Sequence, residues 1–258
     1  MGRELRLENV GVSYAPKGRP AIWDTSFVVE AGSAFVLIGG SGSGKSTCLK
    51  TINRLVVPTR GRIVIGGCDN AAIDTVELRR SVGYVAQDLG LMPHLTVGEN
   101  AALGLRAAGV PADERARRAD TALETVGLDP SLFRHRRPRH LSGGQKQRVA
   151  VARALAGGAD VLLLDEPFGA VDAITRADLQ REIHELRRKS GITVVLVTHD
   201  IGEALLLGTA IGVMNDGYLE QCASPAELIR EPATPFVREL VEQARRSAEI
   251  YAAAEEGR

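Results

Sequence analysis

The chain has 258 residues, and its 32 basic and 32 acidic side chains give a formal net charge of zero. A chain of this length can bury a sizeable core, and its balanced charge gives no argument for a nucleic-acid partner or an anionic membrane surface. The N-terminus lacks an apolar signal-like stretch, and the longest apolar segment, Ala204 to Met214, is too short to cross a bilayer. We therefore expect a protein that remains in the cytosol.

The first thirty residues alternate apolar and polar side chains, which is typical of half-exposed antiparallel strands. Further along, four short apolar runs rich in β-branched residues predict the buried strands of a parallel sheet. These runs are Ala34 to Ile38, Gly83 to Ala86, Val161 to Leu164 and Thr193 to Val197. Each run ends in polar or glycine-rich residues, so four segments should meet at the sheet edge where ligands bind.

Helical patterns separate and follow these runs. The pattern between Thr96 and Arg139 is helical and predicts a helical insert at about residues 92–158. From Asp172 to Lys189 the apolar residues share one helical face, and Gly191 is well placed to end that helix.

The C-terminal part has apolar residues at helical spacing from Phe236 to Val241, so it should pack as a helix. We predict one domain over residues 1–242, followed by a partly frayed helical tail over residues 243–258. No separate regulatory domain is expected. The three cysteines are far apart and match no metal spacing, which favours free thiols; Cys48 adjoins the glycine-rich segment described next.

The segment from Gly39 to Ser46 fits the phosphate-loop pattern G-x-x-x-x-G-K-S/T, directly after a predicted strand and before a helix. Glycines let backbone N–H groups converge on phosphate oxygens, Lys45 can reach the outer phosphates, and Ser46 should hold Mg²⁺. The predicted nucleotide-binding residues here are Gly39, Gly40, Ser41, Gly42, Ser43, Gly44, Lys45, Ser46 and Thr47. An ordinary glycine-rich turn is the alternative, and the strand and helix context argues against it.

Two carboxylates, Asp165 and Glu166, end the buried run VLLLDE, where their burial is costly unless a cation or a reaction partner compensates. Asp165 would steady Mg²⁺ through water, and Glu166 is placed to polarise an attacking water as general base. A pair of helix N-caps is the alternative. Gln87 and His199 end two other strands of the same sheet, which makes both candidates for the nucleotide site.

A second glycine pair lies in LSGGQ, residues 141–145. Ser142 should cap a helix, with Gly143 and Gly144 exposing backbone N–H groups at its positive end, so the segment is a second anion site. Locally it could be no more than a helix cap. One nucleotide on one chain cannot easily use both loops, because a helical insert carries the second one, but a partner chain could supply it.

The chain resembles the ATP-binding subunit of ABC transporters from about Leu5 to Leu240. The segments GGSGSGKST, LSGGQ and VLLLDE, together with Gln87 and His199, match that family in order and spacing. The resemblance implies an α/β fold, the ABC ATPase fold: a P-loop NTPase core with a parallel sheet, an N-terminal antiparallel β subdomain and an inserted helical subdomain. It also implies that ATP lies between two head-to-tail copies, held by the phosphate loop of one and LSGGQ of the other.

The resemblance carries roles to matching residues. Tyr14 would stack on adenine, and Asp172 would communicate across the dimer. The implied catalytic residues are Lys45, Glu166 and His199, with Glu166 as base and His199 on the γ-phosphate. The implied Mg²⁺ residues are Ser46, Gln87 and Asp165, and Gln87 would also sense the membrane subunits. The implied residues for the partner's ATP are Ser142, Gly143, Gly144 and Gln145.

A finer resemblance concerns the transported solute. Segments such as INRLVVPTRGRIVIGG and QDLGLMPHLTVGEN look like those of the osmoprotectant importers, which move glycine betaine, carnitine or choline. This implies a homodimer on two membrane-spanning permease subunits with a substrate-binding protein, at the cytoplasmic face of the cell membrane. Solute identity follows by association only, because the matching segments face the nucleotide and the membrane subunit.

Three alternatives stay open. One is the ATPase of an importer for another small solute, such as an amino acid. Another is a soluble ABC-type ATPase acting on nucleic acid or the ribosome, although such proteins usually carry two cassettes or a long coiled coil. The third is a small P-loop kinase, which leaves LSGGQ unexplained. The basic stretch from Arg134 to His140 lacks interleaved aromatic residues, so we interpret it as a solvated or docking loop and expect no nucleic acid.

Overall fold

The computed structural model describes residues 2–15, 18–169 and 171–256, and within them ten strands form one mixed sheet. The strands are β1 (Leu5–Val12), β2 (Ile22–Val29), β3 (Ala34–Ile38), β4 (Arg60–Ile65), β5 (Cys68–Asp69), β6 (Val82–Val85), β7 (Val161–Asp165), β8 (Thr193–Val197), β9 (Ala210–Asn215) and β10 (Tyr218–Ala223). Their order across the sheet is β5-β4-β1-β2-β10-β9-β3-β8-β7-β6.

The sheet has an antiparallel part and a parallel part. Strands β2, β1, β4 and β5 pair antiparallel in that order, as the alternating N-terminal sequence predicted for its first two strands. Strands β9, β3, β8, β7 and β6 are all parallel to their neighbours. The two parts meet through β10, which pairs antiparallel with β9 and joins β2 at the single pair Tyr218 and Asp24.

Eleven α-helices lie within the described residues. They are α1 (Lys45–Ile52), α2 (Thr75–Ser81), α3 (Val97–Ala101), α4 (Leu103–Ala107), α5 (Ala112–Thr125), α6 (Pro130–Phe133), α7 (Gly143–Ala156), α8 (Ala173–Ser190), α9 (Ile201–Leu207), α10 (Pro225–Arg230) and α11 (Pro235–Glu256). Helices α3 to α7, with a 3₁₀ turn at Pro138–His140, occupy the stretch where the sequence predicted a helical insert.

The strands of the parallel part are buried on both faces, because their side chains alternate between two separate cores. On β3, Val36 and Ile38 join the core formed with α3 to α9 and α11, whereas Phe35 and Leu37 join the core formed with α1, α2 and the antiparallel strands. All five residues of β3, of β7 and of β8 are buried. The sheet edge that receives the ends of these strands is therefore rigidly supported from both sides.

Helix α8 ends at a glycine. Gly191 adopts a left-handed conformation with φ of 66° and ends α8 where the sequence predicted.

Val237 and Val241 of α11 are buried in the helix-rich core, so the C-terminal part packs as the spacing predicted. Helix α11 runs without a break across residue 242, and residues 257 and 258 of the predicted tail lie outside the described residues. Over the described part of the chain, no helix combines the length and apolar character needed to cross a membrane.

Candidate functional site

The phosphate loop connects β3 to α1 and needs glycine at two of its corners. Gly39 has φ of 150° and Gly44 has φ of 99°, and a Cβ would lie 1.9 Å from the Met214 carbonyl oxygen at Gly39 and 2.4 Å from the Ala21 carbonyl oxygen at Gly44. Gly44 also occupies the N-cap position of α1, where it has no side chain to cap the first turn. The N–H groups of that turn thus carry the positive end of the helix dipole toward the loop.

Lys45 is folded back into this loop. Its Nζ donates hydrogen bonds to the carbonyl oxygens of Gly39 at 2.9 Å and Gly40 at 2.7 Å, and to Ser43 Oγ at 3.3 Å. Burial lowers the pKa of the Lys45 ammonium, and the nearby carboxylates of Glu166 and Asp165 oppose that shift. The loop therefore holds a positive charge at its centre, facing two negative side chains.

Asp165, at the end of β7, connects the phosphate loop to the sheet. Its Oδ1 accepts a hydrogen bond from Ser46 Oγ at 2.6 Å, and its Oδ2 accepts one from the Tyr84 hydroxyl at 3.1 Å. Lys50 Nζ lies 3.6 Å from the same Oδ2. Burial raises the pKa of Tyr84, so this phenol stays protonated and donates.

Glu166 stands where the chain leaves β7, in a conformation that few non-glycine residues adopt. Its φ is 47°, and its backbone N–H donates to the Val197 carbonyl at 3.0 Å, which ties it to the end of β8. Its Oε2 accepts a hydrogen bond from Gln87 Nε2 at 3.1 Å and lies 3.7 Å from His199 Nδ1. Three strand ends thus bring one carboxylate, one amide and one imidazole together.

These groups face an open cavity of about 500 Å³. Among the described residues, its lining consists of Ala21, Ser41, Gly42, Ser43, Gly44, Lys45, Ser46, Thr47, Gln87, Glu166 and His199. Gly39 and Gly40 support it through Lys45, and Asp165 does so through Ser46. The structure therefore brings together the predicted phosphate-loop residues with the predicted base and both strand-end candidates.

Tyr14 lies beside this cavity and not in its lining. Its side chain is 70% exposed, and its hydroxyl is 3.2 Å from Thr47 Oγ1, a separation at which either atom can donate. An exposed ring next to the end of the phosphate loop is available to cover a planar group. Its proposed contact with adenine stays a prediction.

LSGGQ lies away from the cavity, at the start of α7. Ser142 caps the helix: its Oγ accepts from the Gln145 N–H at 3.3 Å, while Gln145 Oε1 accepts from the Ser142 N–H at 3.1 Å. Ser142 and Gly143 are exposed, but Gly144 is buried. The expectation that both glycines are open thus holds for Gly143, whereas Gly144 serves a close helix contact.

That contact joins α7 to the start of α8. A Cβ at Gly144 would lie 2.3 Å from Thr175 Cγ2. Asp172 caps α8 through the same threonine, since it accepts from the Thr175 N–H at 3.0 Å and from Thr175 Oγ1 at 2.7 Å. These hydrogen bonds lower the pKa of Asp172. Gly144 and Asp172 were each predicted from the sequence as site residues. Thr175, whose side chain contacts both positions, was not predicted.

Tyr84 is another residue of the site that sequence reasoning missed. It is the polar member of the buried strand run GYVA, three residues before Gln87, and that pattern is the signal that could have found it. Ala21 was also missed. Its carbonyl oxygen approaches Gly44 closely, and no side-chain pattern marks such a backbone contact.

The residues fit a Mg²⁺ ion bound together with phosphates. A serine hydroxyl and a carboxylate in direct contact offer the hard oxygen ligands that this ion prefers, and Mg²⁺ uses one or two such groups plus substrate phosphates and water. Within the described residues, no group of three or more His, Cys, Asp and Glu side chains forms a complete metal cage. The donor set accordingly suits an ion that arrives with a phosphorylated ligand.

A phosphate loop between a parallel strand and a helix, with two carboxylates at the end of β7 in the same sheet, defines a P-loop nucleotide-binding domain. A family model described as ABC transporter matches residues 22–169 of the chain. The chain belongs to the ABC transporter family, and the predicted fold is confirmed by the solved structures described below.

Several curated relatives are named as ATP-binding proteins of transport or import systems. The osmoprotectant import ATP-binding protein OsmV of Salmonella typhimurium is 45% identical over 244 residues, covering 93% of this chain and 64% of the relative. The carnitine transport ATP-binding protein OpuCA of Listeria monocytogenes is 43% identical, with 92% and 59% covered. The spermidine/putrescine import ATP-binding protein PotA of Frankia alni is 45% identical, with 92% and 51% covered. The chain thus spans less than two thirds of the length of each of these relatives.

Solved structures share the fold. The ATP-binding cassette MJ0796, in a dimeric post-hydrolysis state bound to ADP and Pi, superposes with a TM-score of 0.75 at 34% identity, covering 86% of this chain and 98% of that one. CbiO1 of Clostridium perfringens, part of the ABC transporter complex cbiONQ, superposes with a TM-score of 0.81 at 27% identity, covering 98% and 100%. Nearly all of the present chain therefore has a counterpart in an ABC cassette.

Proposed function

We propose that the chain is the ATP-hydrolysing subunit of an ABC importer, and that the importer takes up quaternary-amine osmoprotectants. The observation that carries the ATPase assignment is the cavity in which Lys45 and Ser46 face Glu166, Gln87 and His199. Phosphate-binding groups on one side and a candidate base on the other are what phosphoryl transfer to water requires.

The contacts support a separate role for each group in the cavity. The phosphate-loop N–H groups and Lys45 would bind the outer phosphates, and Ser46, Asp165 and Gln87 would hold Mg²⁺. When bound, Mg²⁺ supplies positive charge that offsets the charge of the phosphates. Glu166 would accept the proton of the attacking water, with its carboxylate oriented by Gln87 at 3.1 Å.

His199 completes this arrangement. Its Nδ1 lies 3.7 Å from Glu166 Oε2, and two-thirds of its side chain is exposed, at 66%. An exposed imidazole at the rim of the cavity can donate to a phosphate oxygen while it stays close to the base. We assign it the terminal phosphate.

Two copies of the chain would form the active unit. Ser142 and Gly143 are exposed at the positive end of α7, yet neither lines the cavity of their own chain. Such a helix start suits an anion brought by another molecule. The dimeric state described for MJ0796 supports a paired active unit. We place the two copies head to tail, so that each LSGGQ completes the partner's site and Asp172 lies near the contact between the copies.

The remaining partners are two membrane-spanning permease subunits and a substrate-binding protein, which would hold the chain at the cytoplasmic face of the cell membrane. The import names of the curated relatives support this assembly. The osmoprotectant assignment rests on OsmV and OpuCA. PotA, named for polyamine import, is as similar in identity, so the solute has to be tested directly.

The ATPase proposal is tested with Glu166→Gln. This variant should bind Mg-ATP without hydrolysing it and accumulate as an ATP-dependent dimer in size-exclusion chromatography with light scattering. Adding Lys45→Ala should abolish the dimer, because the phosphates lose their buried cation. A Glu166→Gln protein that stays monomeric at saturating ATP would contradict the composite site.

A matched pair of cap variants tests the part played by LSGGQ. Ser142 and Ser224 each form a capping box, with Gln145 and Glu227 respectively, so Ser142→Ala and Ser224→Ala should each lower stability by about 1 kcal/mol. In the Glu166→Gln background, only Ser142→Ala should weaken ATP-dependent dimerisation. Equal weakening by both variants would mean that LSGGQ acts as a helix cap alone.

The solute is tested with the purified complex. The chain should co-purify with its permease subunits, and the associated substrate-binding protein should bind glycine betaine, carnitine or choline in calorimetry and stimulate ATP hydrolysis when loaded. Stimulation by spermidine or by an amino acid instead would overturn the osmoprotectant assignment and leave the ATPase assignment intact.

A further inference from the structure

A second, smaller cavity lies behind the catalytic groups. Its volume is about 60 Å³, and the described residues that line it are Glu166, Phe168, Gly169, Arg176, Thr198, His199, Asp200 and Glu203. It shares Glu166 and His199 with the nucleotide cavity, but its other walls come from the segment after β7, the turn between β8 and α9, and the helices α8 and α9. The polar groups on those other walls have none of the roles proposed above in binding ATP and Mg²⁺ or in activating water.

Glu203 of α9 is the central group of this cavity. It is 7% exposed, and its Oε2 accepts a hydrogen bond of 2.5 Å from the hydroxyl of Thr198, which is 3% exposed. The same hydroxyl accepts from the Asp200 N–H at 3.0 Å. Thr198 and Asp200 flank His199, so one buried carboxylate fixes the turn on which His199 stands.

The other oxygen of Glu203 faces α8. Gln180 Nε2 donates to Glu203 Oε1 at 3.3 Å, and Arg176 Nε lies 3.9 Å from the same atom. Arg176 is in the first turn after the cap Asp172, on the helix that also contacts Gly144 through Thr175. Glu203 therefore connects the His199 turn to the start of α8, where the proposed dimer contact lies.

Burying a carboxylate is costly, and burial raises the pKa of Glu203, although the Thr198 hydrogen bond and Arg176 oppose this. A hydrophobic side chain would fill the same space between α8 and α9 without that cost. A polar group held here at a cost to stability is consistent with a positional role.

We propose that Glu203 is a positioning residue for ATP hydrolysis: through Thr198 it fixes the turn that presents His199, and through Gln180 and Arg176 it ties that turn to α8. The proposal rests on the proposed ATPase function. Glu203 does not line the nucleotide cavity, so its effect passes through His199 and should reach the chemical step more strongly than ATP binding.

A pair of threonine variants separates position from packing. Thr198→Ser keeps the hydroxyl that donates to Glu203, whereas Thr198→Val keeps the shape and loses the hydroxyl. In the 258-residue chain, Thr198→Val and Glu203→Gln should each lower kcat for Mg-ATP by about tenfold to a hundredfold, the range expected when a group shifts by about an ångström. KM should change by less than about threefold, and Thr198→Ser should retain wild-type kcat.

Double variants show which residue transmits the effect. In a His199→Ala background, Thr198→Val should cause no further loss in single-turnover hydrolysis, because the group it positions is gone. The matched control is Glu182→Gln, which removes another half-buried carboxylate of α8, one that pairs with Arg148 of α7. Any effect of Glu182→Gln should be the same with and without His199.

The outcomes are distinguishable. A wild-type chain that does not hydrolyse ATP contradicts the proposed function. A wild-type chain that does, with unchanged kcat in Thr198→Val and Glu203→Gln, overturns the positioning role alone, as does a full further loss on the His199→Ala background. If Thr198→Val does not fold, Arg176→Met, which changes a part-exposed side chain and leaves the Thr198 bond in place, should still lower kcat with little change in KM.

Discussion

Replacing Gly144 by alanine should push the first turn of α7 away from α8, and one methyl group accounts for the clash. The added Cβ would lie 2.3 Å from Thr175 Cγ2, whereas the next nearest atoms, Thr175 Cβ and Leu179 Cδ1, are 3.8 and 4.0 Å away. Thr175→Ser removes that methyl group and keeps the hydroxyl that donates to Asp172. The serine background should therefore accommodate alanine at position 144 without a shift of α7.

The clash sets the expected change in the free energy of unfolding. Overpacking in a tight contact costs about 1–3 kcal/mol, while alanine is favoured over glycine within a helix by about 1 kcal/mol. Gly144→Ala alone should thus lower the free energy of unfolding by about 0–2 kcal/mol. With Thr175→Ser, the same change should be neutral or stabilise by up to about 1 kcal/mol, so the coupling between the two positions should be about 1–3 kcal/mol.

Urea unfolding of the wild type, both single variants and the double variant measures this coupling. Gly104→Ala in α4 is the matched control, because a Cβ there meets no atom within 4 Å and should stabilise the protein by about 0.5–1 kcal/mol. An equal effect of Gly144→Ala on both backgrounds would refute a steric clash between position 144 and the Thr175 methyl group.

Two further predictions concern titratable groups. Since burial raises the pKa of Glu203 above the unfolded value of about 4.3, stability should fall as pH rises from there through the raised pKa. Glu203→Gln should remove that part of the pH dependence in urea titrations; a variant that keeps the same pH dependence as wild type would contradict it. Burial raises the pKa of Cys48 to about 12, so iodoacetamide should spare Cys48 while it alkylates the exposed Cys68, as peptide mass spectrometry would show. Equal labelling would contradict the second prediction.

The parallel core could be predicted from sequence to the residue at β3 and β8, because continuous β-branched runs bounded by polar residues have few other solutions. Strand β9 was not predicted. The apolar segment Ala204 to Met214 contains the end of α9 followed by most of β9, and periodicity alone does not separate a buried helix end from a buried strand.

Some residues of the candidate site could likewise be predicted from the sequence, and others could not. Groups that end a predicted strand, such as Gln87, Glu166 and His199, could be placed at one sheet edge before any contact was known. Thr175, Thr198 and Glu203 could not, because their importance comes from which helices pack together. Thr198 is five residues from Glu203, and Gln180 is 23 residues from it, with a strand between them. No local spacing rule joins such positions.

The separation of Ser142 from the cavity that holds Lys45 has a genetic consequence. In the proposed pair, each site takes its phosphate loop from one copy and its LSGGQ from the other. A cell producing one Lys45-defective allele and one Ser142-defective allele would assemble mixed pairs in which both lesions fall in the same site. The opposite site would be wild type, so each mixed pair should keep one intact ATP site, which a pair made from either defective allele alone would lack.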